Sequence, residues 1–539
     1  MTPNQSVYVL MRRLAVTTGI FLLVVRLCHS STNDSISNKD YRETTEKNFS
    51  LISENPSLMV YTDEDNISYI QTGIGFRHGG LSDYYEGDKG FNALIEAKSL
   101  YRLNKKTFVS GVVSYNTDKG YNMYGSVFSD PTYLPFNIVE TVDDKGTKKK
   151  ELYRIGGNIG YLFYDKWSLG LGIDYISGNY AKYKDLRHQN SIMKFKSLCG
   201  LSYEINDIIK IGLSYKYLRE IESLFFKIYG NTDKIYHSLI DFGAFYGRKE
   251  LFGESGYTHD TTPLYQETHG IGIQSVIDLD KNVFYNELKM AKINGRFGTG
   301  SDTDVNYTRH NGMIFSINSR STIDKGEIFH VLDIDADYIS MENSENAFKE
   351  STDEYGVSKI LYYGSNKVGD KSWMDLNLAY KLFKGKTACR SDWSLGVSSS
   401  FRQRHTNTIL YPYYREQKIN VFSFGLFGSR AKCLGKNILS LSPLLAYSFG
   451  WGQPSDDGVY STKENIKTET STNDNLLERE FDYQTAKTLN IGMSFIYERI
   501  LNRHISIYSD FGINVKRAFS TSLNGKYNTN GTFNIGVKF

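Results

Sequence analysis

The chain has 539 residues, with 63 basic and 60 acidic side chains and a formal net charge of +3. This balance gives no reason to expect a nucleic-acid partner, and the mean hydropathy of −0.41 excludes a polytopic helical membrane protein. Aromatic residues make up 14% of the chain, alongside 47 glycines and only 8 prolines. The composition excludes collagen-like, coiled-coil and disordered proteins and indicates a large β-rich protein.

The N-terminus has the features of a secretory signal peptide. Arg12 and Arg13 precede an apolar stretch from Leu14 to Val25, and a small residue follows at Ser30. This stretch is too short to span a bilayer comfortably, so we predict cleavage on export, with a lipid anchor on Cys28 or a retained anchor as alternatives. The predicted division is a signal peptide at 1–30, a flexible segment or small plug at 31–65, and a folded domain at 66–539.

Runs of about ten residues in which apolar and polar side chains alternate recur along the rest of the chain, and they match a tilted membrane-spanning strand. One face of each run is apolar with aromatic ends, whereas the other mixes Gly, Ser, Asn and charged residues. A barrel that faces lipid and encloses a polar lumen has this pattern. We therefore predict an all-β fold, a single antiparallel transmembrane β-barrel of about 18–20 strands.

The connections between these runs alternate in length. The short links are residues 103–106, 165–166, 205–207, 278–282 and 501–503. The long polar segments are residues 117–150, 251–266, 340–371, 405–417 and 451–482. This asymmetry predicts short periplasmic turns and long external loops. The region 223–250 can be read either as one more hairpin or as loop.

Aromatic residues mark both the turn side of the predicted barrel and its last strand. Trp167 and Trp393 each follow a short link, which favours a periplasmic aromatic girdle, with burial in a core as the alternative. The final strand resembles the C-terminal signal read by the bacterial barrel-assembly machinery. The apolar residues of this predicted signal are Phe533, Ile535, Val537 and Phe539.

Several short motifs carry a family resemblance. Asn55-Pro56-Ser57-Leu58 stands before the first predicted strand, and the later motifs are Gly73-Ile74-Gly75-Phe76-Arg77-His78, Gly90-Phe91, Tyr101-Arg102-Leu103, Ser114-Tyr115-Asn116, Asp130-Pro131 and Pro135-Phe136. Together they resemble a family of uncharacterised outer-membrane β-barrel proteins of Bacteroidota. That resemblance implies the fold but no substrate. The Asn-Pro pair also loosely resembles fatty acid transporter-like barrels, although Ser57-Leu58 matches their pattern only in part.

No spacing of His, Cys or acidic residues predicts a metal site or a catalytic set, so we expect no enzyme activity, no metal and no cofactor. A dispersed hydrolase triad at the barrel rim stays open as an alternative. Strand periodicity predicts charged side chains that face the lumen without net ion selectivity. These residues are Lys210, Lys216, Lys516, Asp174 and Asp510.

Cys389 and Cys433 lie in neighbouring links on the predicted periplasmic side. In that oxidising compartment they could form a disulfide if their Cα atoms lie within about 7 Å, with free thiols as the alternative. Cys199 lies within a predicted strand, where we expect an unreactive wall residue.

The predicted function is a channel or transporter for small solutes in the bacterial outer membrane. The alternative is a non-conducting surface-binding or secretion-associated barrel that presents its external loops. Expected partners are outer-membrane lipid and lipopolysaccharide, the barrel-assembly machinery and an unknown solute. The segment 31–65 is shorter than a self-standing domain usually is, so we expect no energised transport through a folded plug domain.

Overall fold

The computed structural model describes residues 40–62, 66–230, 233–253, 256–259, 261–301, 304–352, 354–356, 358–385, 391–462, 469–502, 505–519 and 525–539. The predicted signal peptide lies outside the described residues. No helix in the described part is long and apolar enough to cross a bilayer.

The described residues form these strands in chain order: β1 (Ile67–His78), β2 (Lys89–Asn104), β3 (Thr107–Met123), β4 (Gly125–Ser126), β5 (Asn137–Glu140), β6 (Gly146–Tyr164), β7 (Trp167–Lys182), β8 (Arg187–Glu204), β9 (Ile209–Lys227), β10 (His237–Gly243), β11 (Tyr246–Leu251) and β12 (Thr261–Leu279). They continue with β13 (Asn282–Phe297), β14 (Thr308–Asp324), β15 (Ile328–Thr352), β16 (Ser358–Lys384), β17 (Trp393–Leu410), β18 (Tyr413–Leu434), β19 (Asn437–Val459), β20 (Ser471–Thr472), β21 (Thr488–Ile500), β22 (Ser506–Ala518) and β23 (Tyr527–Lys538). The α-helices are α1 (Tyr41–Lys47) and α2 (Asp474–Thr485).

Eighteen of these strands form one closed antiparallel barrel, which confirms the predicted fold class. Each barrel strand pairs with the next one along the chain, and β1 pairs with both β2 and β23. The backbone groups of Ser68 and Phe539 complete the closure with N–H···O bonds of 3.0 and 2.9 Å. Closure removes the free edges that an open sheet of this size would expose.

The strands alternate between an apolar outer face and a polar inner face. On β7 the side chains of Leu169, Leu171 and Ile173 are 41%, 51% and 56% exposed, whereas Gly170 and Gly172 between them are buried. The same alternation recurs around the barrel. The apolar belt that results is typical of a barrel that contacts lipid.

The barrel has a turn end, where Ile67 begins β1 and Lys538 ends β23, and an opposite loop end. At the turn end, β2 and β3 are joined by Lys105-Lys106, and β6 and β7 by Asp165-Lys166. The prediction of loops across 340–371 and 405–417 is wrong, because β15 to β18 run through most of both segments and pair there. Cross-strand hydrogen bonds satisfy the backbone of these polar segments, so their composition does not exclude strand.

The strands outside the barrel form a second sheet inside its loop end. We call residues 124–145, 233–253 and 469–487 the loop-end plug; they contain the sheet of β4, β5, β10, β11 and β20, together with α2. The hairpin left open within 223–250 is therefore real, but it lies apart from the barrel sheet. The apolar core of the loop-end plug includes Phe136, Ile240 and Phe242, and it packs against the wall residues Leu224 and Phe297.

Residues 40–62 fold into a compact segment inside the turn end, which we call the N-terminal plug. Helix α1 begins after Asp40, whose side chain accepts hydrogen bonds from two backbone N–H groups of the first turn. Two 3₁₀ helices follow at Phe49–Leu51 and Pro56–Tyr61. Leu58 of the second one packs with wall residues Val276 and Tyr285, which places the segment within the lumen.

Candidate functional site

Asn55 fixes the N-terminal plug to the barrel wall. Its side chain is fully buried, and its Oδ1 accepts a hydrogen bond from the backbone N–H of Ser57 at 3.0 Å, which caps the second 3₁₀ helix. Its Nδ2 donates to Gln274 Oε1 at 2.8 Å and lies 3.3 Å from the carbonyl oxygens of Leu201 and Leu213. One amide therefore caps the start of the plug's own helix and binds three wall strands.

Glycines in the wall allow this close approach. A Cβ atom at Gly200 would lie 2.8 Å from Asn55 Cγ, and one at Gly170 would lie 2.7 Å from Ser57 Cα. At Gly212 it would lie 2.8 Å from Asn55 Nδ2. Each distance is shorter than real Cβ contacts allow, so these wall positions accept glycine alone while the plug is in place.

Glu54 lies beside the lysines of the wall. Its Oε2 is 3.3 Å from Lys216 Nζ and 3.4 Å from Lys289 Nζ. Burial alone would raise the pKa of Glu54, but these two lysines and Lys196 lower it to about 2. The carboxylate is therefore ionised at any physiological pH.

Polar contacts also hold the rim of the N-terminal plug. The Glu43 carboxylate accepts a hydrogen bond from the backbone N–H of Ser391 at 3.0 Å. Arg320 donates to the carbonyl oxygen of Thr45 at 3.0 Å while it pairs with Asp333. These bonds join the first helix to β14 and to the link before β17, whereas Asn55 contacts β8, β9 and β12.

A cavity of about 320 Å³ lies between the N-terminal plug and strands β2, β3 and β6 to β8. Its polar wall residues include Lys98, Ser110, Arg154, Asn158, Asp174 and Lys196, and Glu54 borders it from the plug. Arg154 and Asp174 form two parallel hydrogen bonds of 2.8 Å each. Apolar side chains such as Leu51 and Met59 of the plug complete the lining, so the cavity combines charged and apolar groups, in contrast to the apolar packing of the loop-end plug.

The loop-end plug meets the same wall strands further along. Lys148 on β6 and Lys182 on β7 both pair with Glu140 of β5, at 2.7 and 2.9 Å, and all three side chains are fully buried. Because Arg154 and Asp174 lie nearer the turn end on these strands, the cavity lies on the turn-end side of these ion pairs, beside the N-terminal plug.

The structure gives partners to the five charges that were predicted to face the lumen. Lys216 pairs with Glu54, Asp510 lies 3.9 Å from Arg42, and Asp174 pairs with Arg154. The Lys210 ammonium lies 5.3 Å from the Tyr61 ring and that of Lys516 lies 4.9 Å from the Tyr483 ring. Four of the five thus contact a plug rather than an open channel.

The remaining predicted residues lie on the outer surface or outside the described part. Trp167 and Trp393 are the first residues of β7 and β17 at the turn end, 38% and 37% exposed. Phe533, Ile535 and Val537 lie on β23, and Phe539 follows it. Cys389 lies outside the described residues and Cys433 is exposed near the end of β18, so the disulfide stays a prediction. Cys199 is exposed on β8.

Sequence reasoning missed Glu54 and the seat of Asn55, by which we mean its contacts with Gly200, Gly212 and Gln274 of the wall. The Asn-Pro motif was visible, but a motif in an irregular segment does not say which wall it contacts. The available signal was the position of Gly170, Gly200 and Gly212 on inward-facing strand positions, where a barrel wall ordinarily carries side chains. No group of His, Cys, Asp and Glu in the described ranges could hold a metal ion.

The fold and the site define an 18-stranded barrel with two internal plugs. Similar solved structures include the ferric preacinetobactin receptor BauA from Acinetobacter baumannii, with 8% identity over 88% of this chain and 80% of that chain and a TM-score of 0.39. The outer membrane transporter YddB from Escherichia coli has 8% identity over 87% and 80% and a TM-score of 0.38. No curated protein matches the chain.

The chain belongs to the family described as "Family of unknown function (DUF6850)", whose model matches residues 56–539. This match confirms the predicted relation to a family without an assigned function. The predicted source in Bacteroidota and the likeness to fatty acid transporter-like barrels stay predictions. The matched region begins at Pro56, within the N-terminal plug.

Proposed function

We propose that this protein is a gated outer-membrane transporter for a small solute. The apolar belt supports the location, because a closed barrel with outward Leu, Ile and Tyr side chains on every side suits lipid and not water. A bacterial outer membrane is the natural setting for such a barrel. The exposed Trp167 and Trp393 at the turn end fit an interfacial girdle there.

The cavity between the N-terminal plug and the barrel wall carries the proposal. Its volume of about 320 Å³ falls at the lower end of known small-molecule sites. A barrel with a purely structural role gains nothing from a hydrophilic chamber lined by Arg154, Asp174 and Lys196. A solute in transit would occupy this chamber.

Passage requires the N-terminal plug to leave its seat. Asn55, Glu54 and Glu43 hold the plug through hydrogen bonds and ion pairs, which water can replace when the plug moves, and Leu58 adds an apolar contact with the wall. The protein is therefore a gated transporter rather than an open porin-like pore.

The non-conducting alternative draws on one observation. The core of the loop-end plug, with Phe136 and Phe242 among its residues, is apolar and continuous with Phe297 of the wall. Such a core resists displacement, and a rigid cap of this kind would suit a barrel that binds partners on its surface. Conductance distinguishes the two functions.

The test is single-channel recording in planar bilayers with the mature protein and with a variant that lacks residues 31–65. The proposal predicts a closed intact protein, stepwise conductance in the deletion variant, and renewed closure when a synthetic peptide of residues 40–62 is added. A silent deletion variant that is correctly folded would contradict it and favour the non-conducting role. Heat-dependent gel mobility and circular dichroism report the folding of both proteins.

A further inference from the structure

Glu54 occupies a position where three wall lysines converge. Lys216 and Lys289 approach its Oε2 at 3.3 and 3.4 Å, from the neighbouring strands β9 and β13 on either side of β12. Lys196 on β8 adds its charge and also lines the cavity. One carboxylate from the plug thus lies among three positive charges that belong to the wall.

The nearby acidic groups do not cancel these charges. Glu287 lies 3.9 Å from Lys289 and accepts a hydrogen bond from Gln274. Asp174 is the cross-strand neighbour of Lys196, but both of its oxygens accept hydrogen bonds from Arg154. When the plug carboxylate withdraws, the three lysines therefore lose their principal counter-ion on the lumen side.

The site borders the cavity directly, since Glu54 and Lys196 both line it. Lys196 lines the cavity whereas Lys216 and Lys289 do not, so an anion in the cavity meets Lys196 first and pairs with the other two lysines when it takes the place of the Glu54 carboxylate. The neighbouring Ser53 and Ile52 of the plug line the same cavity, so a bound molecule would lie against the segment that carries Glu54. The position of the carboxylate and that of a solute anion are thus mutually exclusive.

We propose that Lys196, Lys216 and Lys289 form the binding site for a small anionic solute, and that Glu54 occupies this site as a built-in competitor until the solute displaces it. This inference rests on the proposed transport function and specifies its substrate class. Binding of the solute anion removes the ion pairs that hold the plug, so recognition and opening are coupled through one site. Carboxylates and phosphates share the required chemistry, and the probes below distinguish them.

The test measures binding of succinate to the full mature protein in detergent by calorimetry at low salt, with inorganic phosphate as a second anion and succinamide as the uncharged control. Glu54→Gln removes the competitor and leaves the lysines in place. It is expected to bind succinate, phosphate or both about tenfold more tightly than the unmodified protein. The anion with the larger gain identifies the class of solute, and succinamide is expected to bind neither protein.

Matched variants separate the site from general electrostatics. Lys216→Gln with Lys289→Gln in the Glu54→Gln background is expected to abolish the gain. Glu46→Gln serves as the control, because Glu46 is another plug carboxylate, which lies 3.4 Å from the single lysine Lys381. It is expected to leave anion binding unchanged. Heat-dependent gel mobility verifies that every variant forms the barrel.

Equal anion affinity of Glu54→Gln and the unmodified protein, or an anion affinity that persists without the two lysines, would overturn the inference. Failure of the transport function has a different signature, since the variant lacking residues 31–65 would then stay silent in bilayers. Succinate binding that follows the lysines in a silent barrel would retain the anion site and reject transport. Conductance without lysine-dependent binding would retain transport and reject the anion site.

Discussion

Asn55 of the N-terminal plug lies directly against Gly200 of the barrel wall, where a Cβ atom would come within 2.8 Å of Asn55 Cγ. The amide also binds Gln274 and caps the helix that begins at Pro56. The seat of the plug is therefore defined as much by a missing side chain in the wall as by the residues of the plug itself.

Gly200→Ala is predicted to displace the N-terminal plug while the barrel stays folded. The added methyl group overlaps Asn55, and overpacking of this kind costs about 1–3 kcal/mol. Hydrogen–deuterium exchange should show loss of protection in residues 40–62 and unchanged protection in β8. Gly492→Ala is the control, because the nearest atom to a Cβ there is 3.3 Å away. Equal protection of the plug in both variants would contradict the proposed seat.

Glu140→Gln is predicted to loosen the loop-end plug. The substitution leaves Lys148 and Lys182 buried without their carboxylate, and breaking a buried ion pair in this way costs about 3 kcal/mol. Amide exchange in β5 reports the effect. Glu416→Gln removes a more exposed carboxylate that pairs with Lys418 and should leave β5 unchanged. Undiminished protection of β5 in Glu140→Gln would show that the ion pairs of Glu140 with Lys148 and Lys182 do not hold the plug.

The hairpin of β10 and β11 is predicted to open more readily as the pH rises. Burial raises the pKa of Asp241 to about 6, although Lys371 and hydrogen bonds from the backbone N–H groups of Gly243 and Tyr246 oppose the shift. The stabilising contribution of the protonated form is complete below the unfolded pKa of about 3.9 and is lost as the pH rises through 6. From pH 5 to pH 7.5 the opening equilibrium should increase about tenfold.

Amide exchange of residues 237–251, corrected for intrinsic rates, measures this change. Asp241→Asn keeps an oxygen that can accept both backbone hydrogen bonds but does not titrate, so its opening should not vary with pH through this position. A variant with the same pH dependence as the unmodified protein would assign the effect to another group. Asp83 is such a candidate, since burial raises its pKa to about 7.

The barrel was predictable from sequence because lipid and lumen impose a two-residue period on every strand, as on β7 and β23. The strand count followed from the same period. The plugs were not predictable, because the membrane imposes no period on their residues. Their contacts also join positions far apart in the chain, such as Asn55 and Gly200. The prediction of a loop across 340–371 was wrong because polar residues can also form strands. The backbone groups of this segment are satisfied by pairing between β15 and β16.

The most direct test of plug displacement is a reversible tether. A Cβ atom at position 200 would lie 2.8 Å from Asn55 Cγ, so the side chains at the two positions adjoin and Asn55→Cys with Gly200→Cys is designed to join them by a disulfide. The background carries Cys199→Ser, Cys389→Ser and Cys433→Ser to prevent other bridges. The variant that lacks residues 31–65 provides the open reference.

Single-channel conductance of the tethered protein is then recorded before and after reduction. The account predicts silence while the disulfide is intact and stepwise openings once it is reduced, because the freed plug has lost the hydrogen bonds of Asn55. Conductance that is the same before and after reduction, whether open or closed, would contradict a gate formed by the N-terminal plug.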